Sequence, residues 1–338
     1  MFDQYGFLGV PDGTAGDVKT YVGNLTTSNN VLYPTEGTWR VWVKPRGKSM
    51  VSFWCLGGGG GGGAGCDAFS NISCGGGGGG GTGGLVVAML PSFMVPDTLY
   101  IQPGRGGLGG TVTGQASLNG GPGRVSYISM GSIPDGASDS IINSTNLFIS
   151  SSATSYNYGG VGNQYAGGLA GIAPAISNIT GSLMSGYHGW WFAFVGLVGY
   201  VGGYGAANGT ACANTLTTIP CSGGAGGAGL SMGAQPVVGQ AGGAVTLNIG
   251  RWSAATLPGG IAGTASADAG NGSSGMTLQN PFMSCGGGGG GSSFTSGYSG
   301  GNGGNGGIGS GGGGGGAGLV TPGNGGNGGP GIVIITTW

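Results

Sequence analysis

Residues 55–63 read CLGGGGGGG, and three further runs of six or seven glycines follow at 75–81, 286–291 and 311–316. Glycine loses more backbone entropy on ordering than any other residue, and it has no side chain to pack. Such runs are usually flexible linkers. If they are ordered, every buried N–H and C=O must find a partner elsewhere in the chain.

Asparagines within the glycine-rich segments recur at intervals of three residues. Asn302 and Asn305 are three apart, and so are Asn324 and Asn327. A period of three is typical of a polyproline-II-type helix, which has no internal hydrogen bonds and rises about 3.1 Å per residue. Because glycine lacks a Cβ, several such helices can lie side by side and hydrogen-bond laterally. The pattern favours packed rods over the alternative, loose spacers.

These observations predict a mainly irregular and β fold. We expect a glycine-rich layer of polyglycine-II helices flanked by short β-strands and long loops, with almost no α-helix. No window of the chain keeps a 3.6-residue apolar period free of glycine, which argues against ordinary helices. The predicted scaffold residues lie in the four glycine runs: Gly57, Gly60, Gly75, Gly78, Gly286 and Gly311.

Apolar runs rich in β-forming residues predict strands on both sides of the glycine-rich region. Two strands are expected within 38–56, joined by a turn at Pro45-Arg46-Gly47. Two more are expected within 85–102, separated at Pro96-Asp97, and one at Ile332–Ile335.

The division of the chain follows its composition. The region before residue 38 has an ordinary polar composition, so 1–37 is predicted to be an N-terminal attachment segment. A glycine-rich domain is predicted at 38–338. Its parts are strands that enter the domain at 38–56, glycine rods with inserted loops at 57–331, and a closing strand at 332–338.

Charge is scarce along the whole chain. Charged residues make up 5% of the sequence and the net charge is −1, against about 25% charged residues in typical domains. A nucleic-acid partner would need a basic stripe, so none is expected. Collagen would need glycine at every third position with abundant proline, whereas the 93 glycines here are clustered and accompanied by 15 prolines.

The six cysteines are predicted to be free thiols. Two close pairs each bracket a short loop and would suit disulfides in an oxidising compartment: Cys66/Cys74 and Cys212/Cys221. The first residues lack the pattern of a signal peptide, which favours reduced thiols instead. Cys55 and Cys285, each next to a glycine run, are expected to be reduced and buried.

Motifs that could carry catalysis are weak. The segment Arg46-Gly47-Lys48-Ser49 ends like a phosphate-binding loop, but Trp42 stands where that motif needs its first glycine. His188 is the single histidine and has no acidic residue near it in the sequence, so it completes neither a nucleophilic site nor a zinc site. We therefore expect no catalytic residue, no metal site, no cofactor and no enzymatic activity.

The segments between the glycine runs combine aromatic residues with serine, asparagine and glycine. This palette is common in binding surfaces, where rigid aromatics supply contact area and small polar groups adapt. For 187–201, the alternative is that the aromatics fill a core or an oligomer interface. We expect the candidate receptor contacts to lie together at the end of the rods remote from the N-terminal strands: Tyr156, Tyr158, Tyr187, Trp190, Trp191, Phe294 and Tyr298.

Three stretches carry a resemblance to a known family. They are a W-x-x-x-x-K-P-x-G strand pair at 39–47 that leads into polyglycine, PDTLYIQPGRGGLGG at 96–110, and GGNGGPGIVIITTW at 325–338. This pattern resembles the glycine-rich domain of bacteriophage tail proteins. The glycine runs also resemble the polyglycine-II sandwich of the adhesins that cap long tail fibres in some T-even-like phages. Residues 126–280 match no pattern of this kind.

The resemblance implies a receptor-binding virion protein without enzymatic activity. We expect a tail-fibre tip adhesin, assembled in the host cytoplasm into the virion. Its implied partners are other virion proteins and a neutral host-surface target, either a glycan or an outer-membrane protein loop; a homo-oligomer is left open. The first alternative is a purely structural virion decoration or appendage, the second an ice-binding protein built on glycine rods, and the third an enzyme.

Overall fold

The computed structural model describes residues 16–23, 39–67, 74–113, 116–117, 119–130, 147–151, 156–157, 160, 194–197, 212–213, 221–230, 239–249, 252–264, 266–279 and 282–338. In these residues the chain forms strands and extended segments, with one 3-10 turn at Ser92–Met94 and no α-helix. The mainly irregular and β fold expected from the sequence is confirmed.

Eighteen short strands occur in the described residues. They are β1 Asp17–Val22, β2 Arg40–Val43, β3 Met50–Leu56, β4 Leu85–Pro91, β5 Thr98–Gln102, β6 Val112–Thr113, β7 Ala116–Ser117, β8 Gly123–Arg124, β9 Tyr127–Met130, β10 Leu147–Ser150, β11 Tyr156–Asn157, β12 Phe194–Leu197, β13 Cys212–Ala213, β14 Val245–Ile249, β15 Trp252–Leu257, β16 Thr277–Gln279, β17 Phe282–Ser284 and β18 Ile332–Thr337.

Two sheets face each other and form a small β-sandwich. One has the order β1-β18-β3-β4-β12 and the other β10-β9-β5-β2. Alternate residues of β3 point into the gap between them, where the Phe53 ring makes edge contacts with Trp42 at 6.4 Å and with Phe148 at 5.6 Å. This gap holds the main apolar core of the described residues, as expected for strands with a period of two.

The predicted strands exist, but the two within 38–56, β2 and β3, belong to different sheets. β2 pairs with β5, whereas β3 pairs with β4 and β18. The turn between β2 and β3 includes Gly47, whose φ of +75° suits glycine. The predicted closing strand is β18, and β1 pairs with it along its length. The boundary expected at residue 37 therefore does not separate β1 from the glycine-rich domain.

The sandwich strands continue directly into extended glycine-rich segments, which we call glycine rods. The rods are residues 57–66, 75–84, 103–111, 119–124, 221–230, 239–244, 258–264, 268–276, 285–293, 299–309, 310–319 and 321–331. β3 leads into the 57–66 rod, and the 321–331 rod leads into β18. We call the end of the rods next to the sandwich the sandwich end, and the opposite end the turn end.

The rods are joined laterally by backbone hydrogen bonds. In the 57–66 rod, amides three residues apart donate to the same neighbour, and the three sets serve three different rods: 75–84, 119–124 and 321–331. Its carbonyls accept from three further segments: 103–111, residue 160 and 310–319. Gly60, for example, donates to Gly81 over 2.8 Å and accepts from Gly312 over 2.9 Å. The three-residue period supports the polyglycine-II interpretation.

Three of the four unbroken glycine runs lie in rods that have neighbours on every side. The rods at 57–66, 285–293 and 310–319 each exchange backbone hydrogen bonds with six neighbouring segments. A Cβ built on Gly59 would overlap the carbonyl oxygen of Ser310, and one on Gly311 would overlap that of Gly80. When a helix with three residues per turn has neighbouring rods on all sides, no residue of it has space for a side chain. These three runs are therefore in the interior of the lattice, whereas the 75–84 rod exchanges backbone hydrogen bonds with four described segments: 57–66, 221–230, 299–309 and 310–319.

Three other rods carry a polar side chain at every third position over much of their length: 268–276, 299–309 and 321–331. We call Asn271, Asn302, Asn305, Asn324 and Asn327 the asparagine row. The Oδ1 of Asn302 accepts from the backbone N–H of Asn324 at 2.8 Å, and the Oδ1 of Asn305 accepts from that of Asn327 at 2.9 Å. These side-chain oxygens satisfy backbone amides that lie at the edge of the lattice, which would otherwise lack a carbonyl partner.

The scaffold glycines can be tested with one added methyl group. Gly311→Ala forces the 310–319 rod away from the 75–84 rod and breaks the hydrogen bonds between them. Each broken bond leaves a buried polar group unpaired, at a cost of about 1–3 kcal/mol. We expect a loss of at least about 2 kcal/mol in the free energy of unfolding for two broken bonds. The matched control is Ser274→Val on an outer rod, where the side chain is exposed; it should change stability by less than about 0.5 kcal/mol. Equal denaturation midpoints for both variants would contradict the lattice.

The prediction of reduced thiols is confirmed for the cysteines whose side chains are described, which are buried and form no disulfide: Cys55, Cys66, Cys74, Cys221 and Cys285. The side chain of Cys212 lies outside the described residues. Burial raises the pKa of the Cys55 and Cys221 thiols above the ordinary value of 9.0. Each lies at the sandwich end, where it packs against strand residues.

This burial predicts a loss of stability in alkali. Below pH 9 the thiols are neutral in both states; as the pH rises past 9.0, the unfolded thiols ionise while the buried ones stay protonated. The free energy of unfolding should therefore fall with rising pH in that range. Cys55→Ala should be less stable overall, because it leaves a cavity, but should show a shallower slope. An identical slope for the variant would rule out this cause.

Candidate functional site

Three turns lie side by side at the turn end. They are the connections at Thr264–Ala267, Ser293–Ser299 and Gly318–Thr321, each joining one rod to the next. The hydroxyl of Thr295 donates to the carbonyl of Thr264 at 3.5 Å. Ser299 forms an isolated bridge with Thr321. We call the described residues 264, 266–268, 293–299 and 318–321 the turn-end surface.

The longest of these turns is shaped by a glycine. Gly297 has a φ of +94°, a conformation that L-residues with side chains rarely adopt. The chain closes behind it through a hydrogen bond from the N–H of Tyr298 to the carbonyl of Thr295, at 3.2 Å. Ser296 and Gly297 are exposed at the tip, and Tyr298 is half-buried. The tip is thus small and polar, with an aromatic ring beside it.

A small apolar cluster closes the lattice beneath these turns. Phe294 and Leu319 pack on it, and its buried members are Cys66, Cys74, Leu230 and Ala317. Cys74 donates to the carbonyl of Cys66 at 3.3 Å. Phe294, a candidate receptor contact, is therefore a partly buried anchor for its turn.

The turn-end surface offers hydroxyl groups and little charge. Thr264, Ser296 and Thr321 are exposed, and Thr295 and Tyr298 are partly exposed. Its charged group is the exposed Asp268, whose Oδ1 accepts from the N–H of Ser299 at 2.6 Å. Within the described residues, no group of three His, Cys, Asp or Glu side chains could hold a metal ion. The chemistry available at this surface is hydrogen bonding and aromatic contact.

The predicted receptor contacts do not all lie together. Phe294 and Tyr298 are at the turn end, as expected. Tyr156 is not: β11 pairs with β8, and Tyr156 lies opposite Arg124, where the 119–124 rod reaches the sandwich. The predicted location at the turn end was wrong for Tyr156, because pairing with β8 holds it at the sandwich end. The remaining candidates lie outside the described residues: Tyr158, Tyr187, Trp190 and Trp191.

Part of the aromatic 187–201 stretch belongs to the sandwich. β12 pairs antiparallel with β4 from Phe194 opposite Ala88 to Leu197 opposite Leu85. It occupies one edge of the five-stranded sheet. For these four residues the backbone favours the alternative interpretation, a structural role in the sheet.

A second exposed surface, at the far side of the sandwich, was not identified from the sequence. Phe93 is 85% exposed in the 3-10 turn after β4, and Val43 is 66% exposed on the neighbouring β2. Lys44 ties these two elements together, because its ammonium group donates to the carbonyl of Val95 at 2.6 Å and to Asp97 at 2.9 Å. The hydrogen bond from Lys44 holds the pKa of Asp97 below its ordinary value.

A local excess of charge could have indicated this second surface. Arg40, Lys44, Arg46 and Lys48 fall within nine residues of a chain that has eight basic residues in total. Exposed apolar groups beside basic ones are typical of a protein interface rather than of a catalytic site.

Comparison with known proteins does not assign the chain to a family. A scan against protein-family models and a search of curated proteins found no match for the chain. In the described parts of the chain, no helix has the length and apolar character needed to cross a membrane.

Proposed function

We propose that this chain is a non-enzymatic bacteriophage virion protein, a tail-fibre tip adhesin whose turn-end surface binds the host cell. The observation that carries the proposal is the rod lattice that ends in adjacent hydroxyl-rich turns. The sequence resemblance to phage glycine-rich tail proteins provides the biological setting.

The lattice supports a recognition role for the turns. Each rod is held by backbone hydrogen bonds along its length, so a turn can change its sequence without disturbing the rods that it joins. Loops on a rigid scaffold commonly carry binding for this reason. The small polar residues around Gly297, together with the Tyr298 ring, provide adaptable hydrogen bonding beside an aromatic contact.

The low charge of the surface favours a neutral target. Asp268 is its exposed charged residue, and its carboxylate is already engaged by Ser299. A strongly charged ligand would find no complementary field here. A host glycan or an outer-membrane protein loop would instead be held by hydrogen bonds and by contact with the Tyr298 ring.

The sandwich end is the proposed site of attachment to other virion proteins. The exposed Phe93 and Val43 lie beyond the sandwich end of the rods. The rods alone, at about 3.1 Å per residue over ten residues, span roughly 30 Å between the sandwich and the turns. Attachment there leaves the turns free to reach a cell. The second candidate, a structural decoration, is favoured by the inward packing of Phe294.

The proposal predicts different effects for one change made at two places. Ser296 and Ser274 are both exposed serines, one at the turn-end surface and one on the side of an outer rod. Ser296→Arg should weaken binding of the purified protein to permissive cells at least about tenfold, equivalent to about 1.4 kcal/mol. Ser274→Arg should bind like the wild type. Both should keep the wild-type melting temperature, since neither side chain is buried.

The measurement is cell binding of fluorescently labelled protein across a panel of bacterial strains. Wild-type protein that binds no strain, and blocks adsorption to none, would reject the adhesin in favour of the structural decoration. Binding that survives Ser296→Arg would place recognition elsewhere on the molecule.

A further inference from the structure

Every member of the asparagine row is followed by glycine. In an Asn–Gly sequence the glycine nitrogen readily attacks the side-chain carbonyl carbon of the asparagine, because glycine adds no steric hindrance. Ammonia leaves and a five-membered succinimide forms; water then opens it to aspartate or to isoaspartate. Asparagine is one of the residues depleted from heat-stable proteins as chemically labile. A repeated Asn–Gly motif in the scaffold is therefore a chemical liability.

The lattice restrains the attacking nitrogen. The N–H of Gly303 donates to the carbonyl of Asn324 at 2.8 Å, and the N–H of Gly306 donates to that of Asn327 at 2.8 Å. Attack requires this nitrogen to lose its proton and to turn toward the preceding side chain. Both movements break a lateral hydrogen bond of the rod.

The group under attack is restrained as well. The carboxamide oxygen of Asn302 accepts from the N–H of Asn324, and that of Asn327 accepts from the N–H of Gly109, each at 2.8 Å. The carboxamide is thereby fixed toward the next rod and away from its own following nitrogen. The attacking glycine nitrogen and the asparagine carboxamide are therefore both hydrogen-bonded to a neighbouring rod.

The same double restraint recurs at the remaining positions. For Asn271, the following N–H, of Gly272, donates to Asn302 at 2.8 Å, while the Asn271 oxygen accepts from Asn302 at 2.8 Å. For Asn324, the following N–H, of Gly325, donates to Gly110 at 2.9 Å, and the Asn324 oxygen accepts from Val112 at 3.1 Å. The five Asn–Gly pairs of the row thus share one arrangement, because the three-residue period repeats the same contacts from rod to rod.

We propose that the asparagine row is a set of deamidation sites that react only when the rods separate, and that the reaction makes separation irreversible. Isoaspartate routes the backbone through the former side chain and so adds one methylene to it. That extra carbon shifts all following residues out of the three-residue register, so the rod no longer meets its neighbours' carbonyls. The folded lattice protects its asparagines from deamidation, whereas an opened lattice deamidates and cannot close again. The lifetime of the folded protein is therefore set by the rate at which the lattice opens.

The test compares deamidation in folded and unfolded protein. Full-length wild-type protein is held in mildly alkaline buffer with and without guanidinium, and deamidation at the row is followed by peptide mass spectrometry with isoaspartate detection. We expect the folded rate to be at least about 100-fold lower, equivalent to about 2.8 kcal/mol at 1.4 kcal/mol per tenfold. Gly311→Ala should deamidate faster than wild type without denaturant, and Ser274→Val should match wild type.

A refolding arm tests irreversibility. After increasing times in guanidinium, the denaturant is removed and the fraction that regains the native melting transition is measured. It should fall in step with the isoaspartate content of the row. Equal deamidation rates in folded and unfolded protein, or full refolding of protein that contains isoaspartate there, would overturn the proposal.

Discussion

The structure depends on lateral backbone hydrogen bonds between rods that carry no Cβ where they touch. A single bond of this kind contributes about 1 kcal/mol net, while each ordered glycine loses much conformational entropy. The balance is favourable only when nearly every amide and carbonyl of a central rod is paired, as around Gly60 and Gly312. One side chain in the wrong place removes several bonds together, so the constraint applies to whole runs.

This constraint separates the roles of the parts of the chain. A rod interior of glycine offers little apolar area, so the hydrophobic contribution comes from the sandwich, where Phe53 and its neighbours are buried. The sandwich strands also fix the position of the rods that adjoin them in the chain: the 57–66 rod begins after β3, and the 321–331 rod ends at β18. A rod that slid by three residues along its neighbour would still find hydrogen-bond partners. The specific pairing of the sandwich strands opposes such a shift.

The sequence predicted much of this arrangement. The spacing of Asn302 and Asn305 indicated rods, and the apolar runs at β3, β4 and β18 indicated strands that the structure contains. A further signal was available: three of the four unbroken runs lie in central rods, and a polar residue at every third position marks the rods that carry the asparagine row. The pairing of β2 with β5 could not be read from the sequence, because sheet pairing depends on contacts remote in the chain. Tyr156 and Tyr298 come from inserts of similar composition, although these two residues lie at opposite ends of the rods.

The most direct test of the account is amide hydrogen exchange of the glycine runs at 57–63, 286–291 and 311–316, measured by mass spectrometry on peptides that contain them. If lateral hydrogen bonds order the central rods, their amides should exchange only through global unfolding, as slowly as those of β3 and β18. The asparagine-bearing outer rods should exchange no faster than the sandwich edge. Exchange of the central glycine amides at the rate of an unstructured chain, while β3 stays protected, would contradict the account.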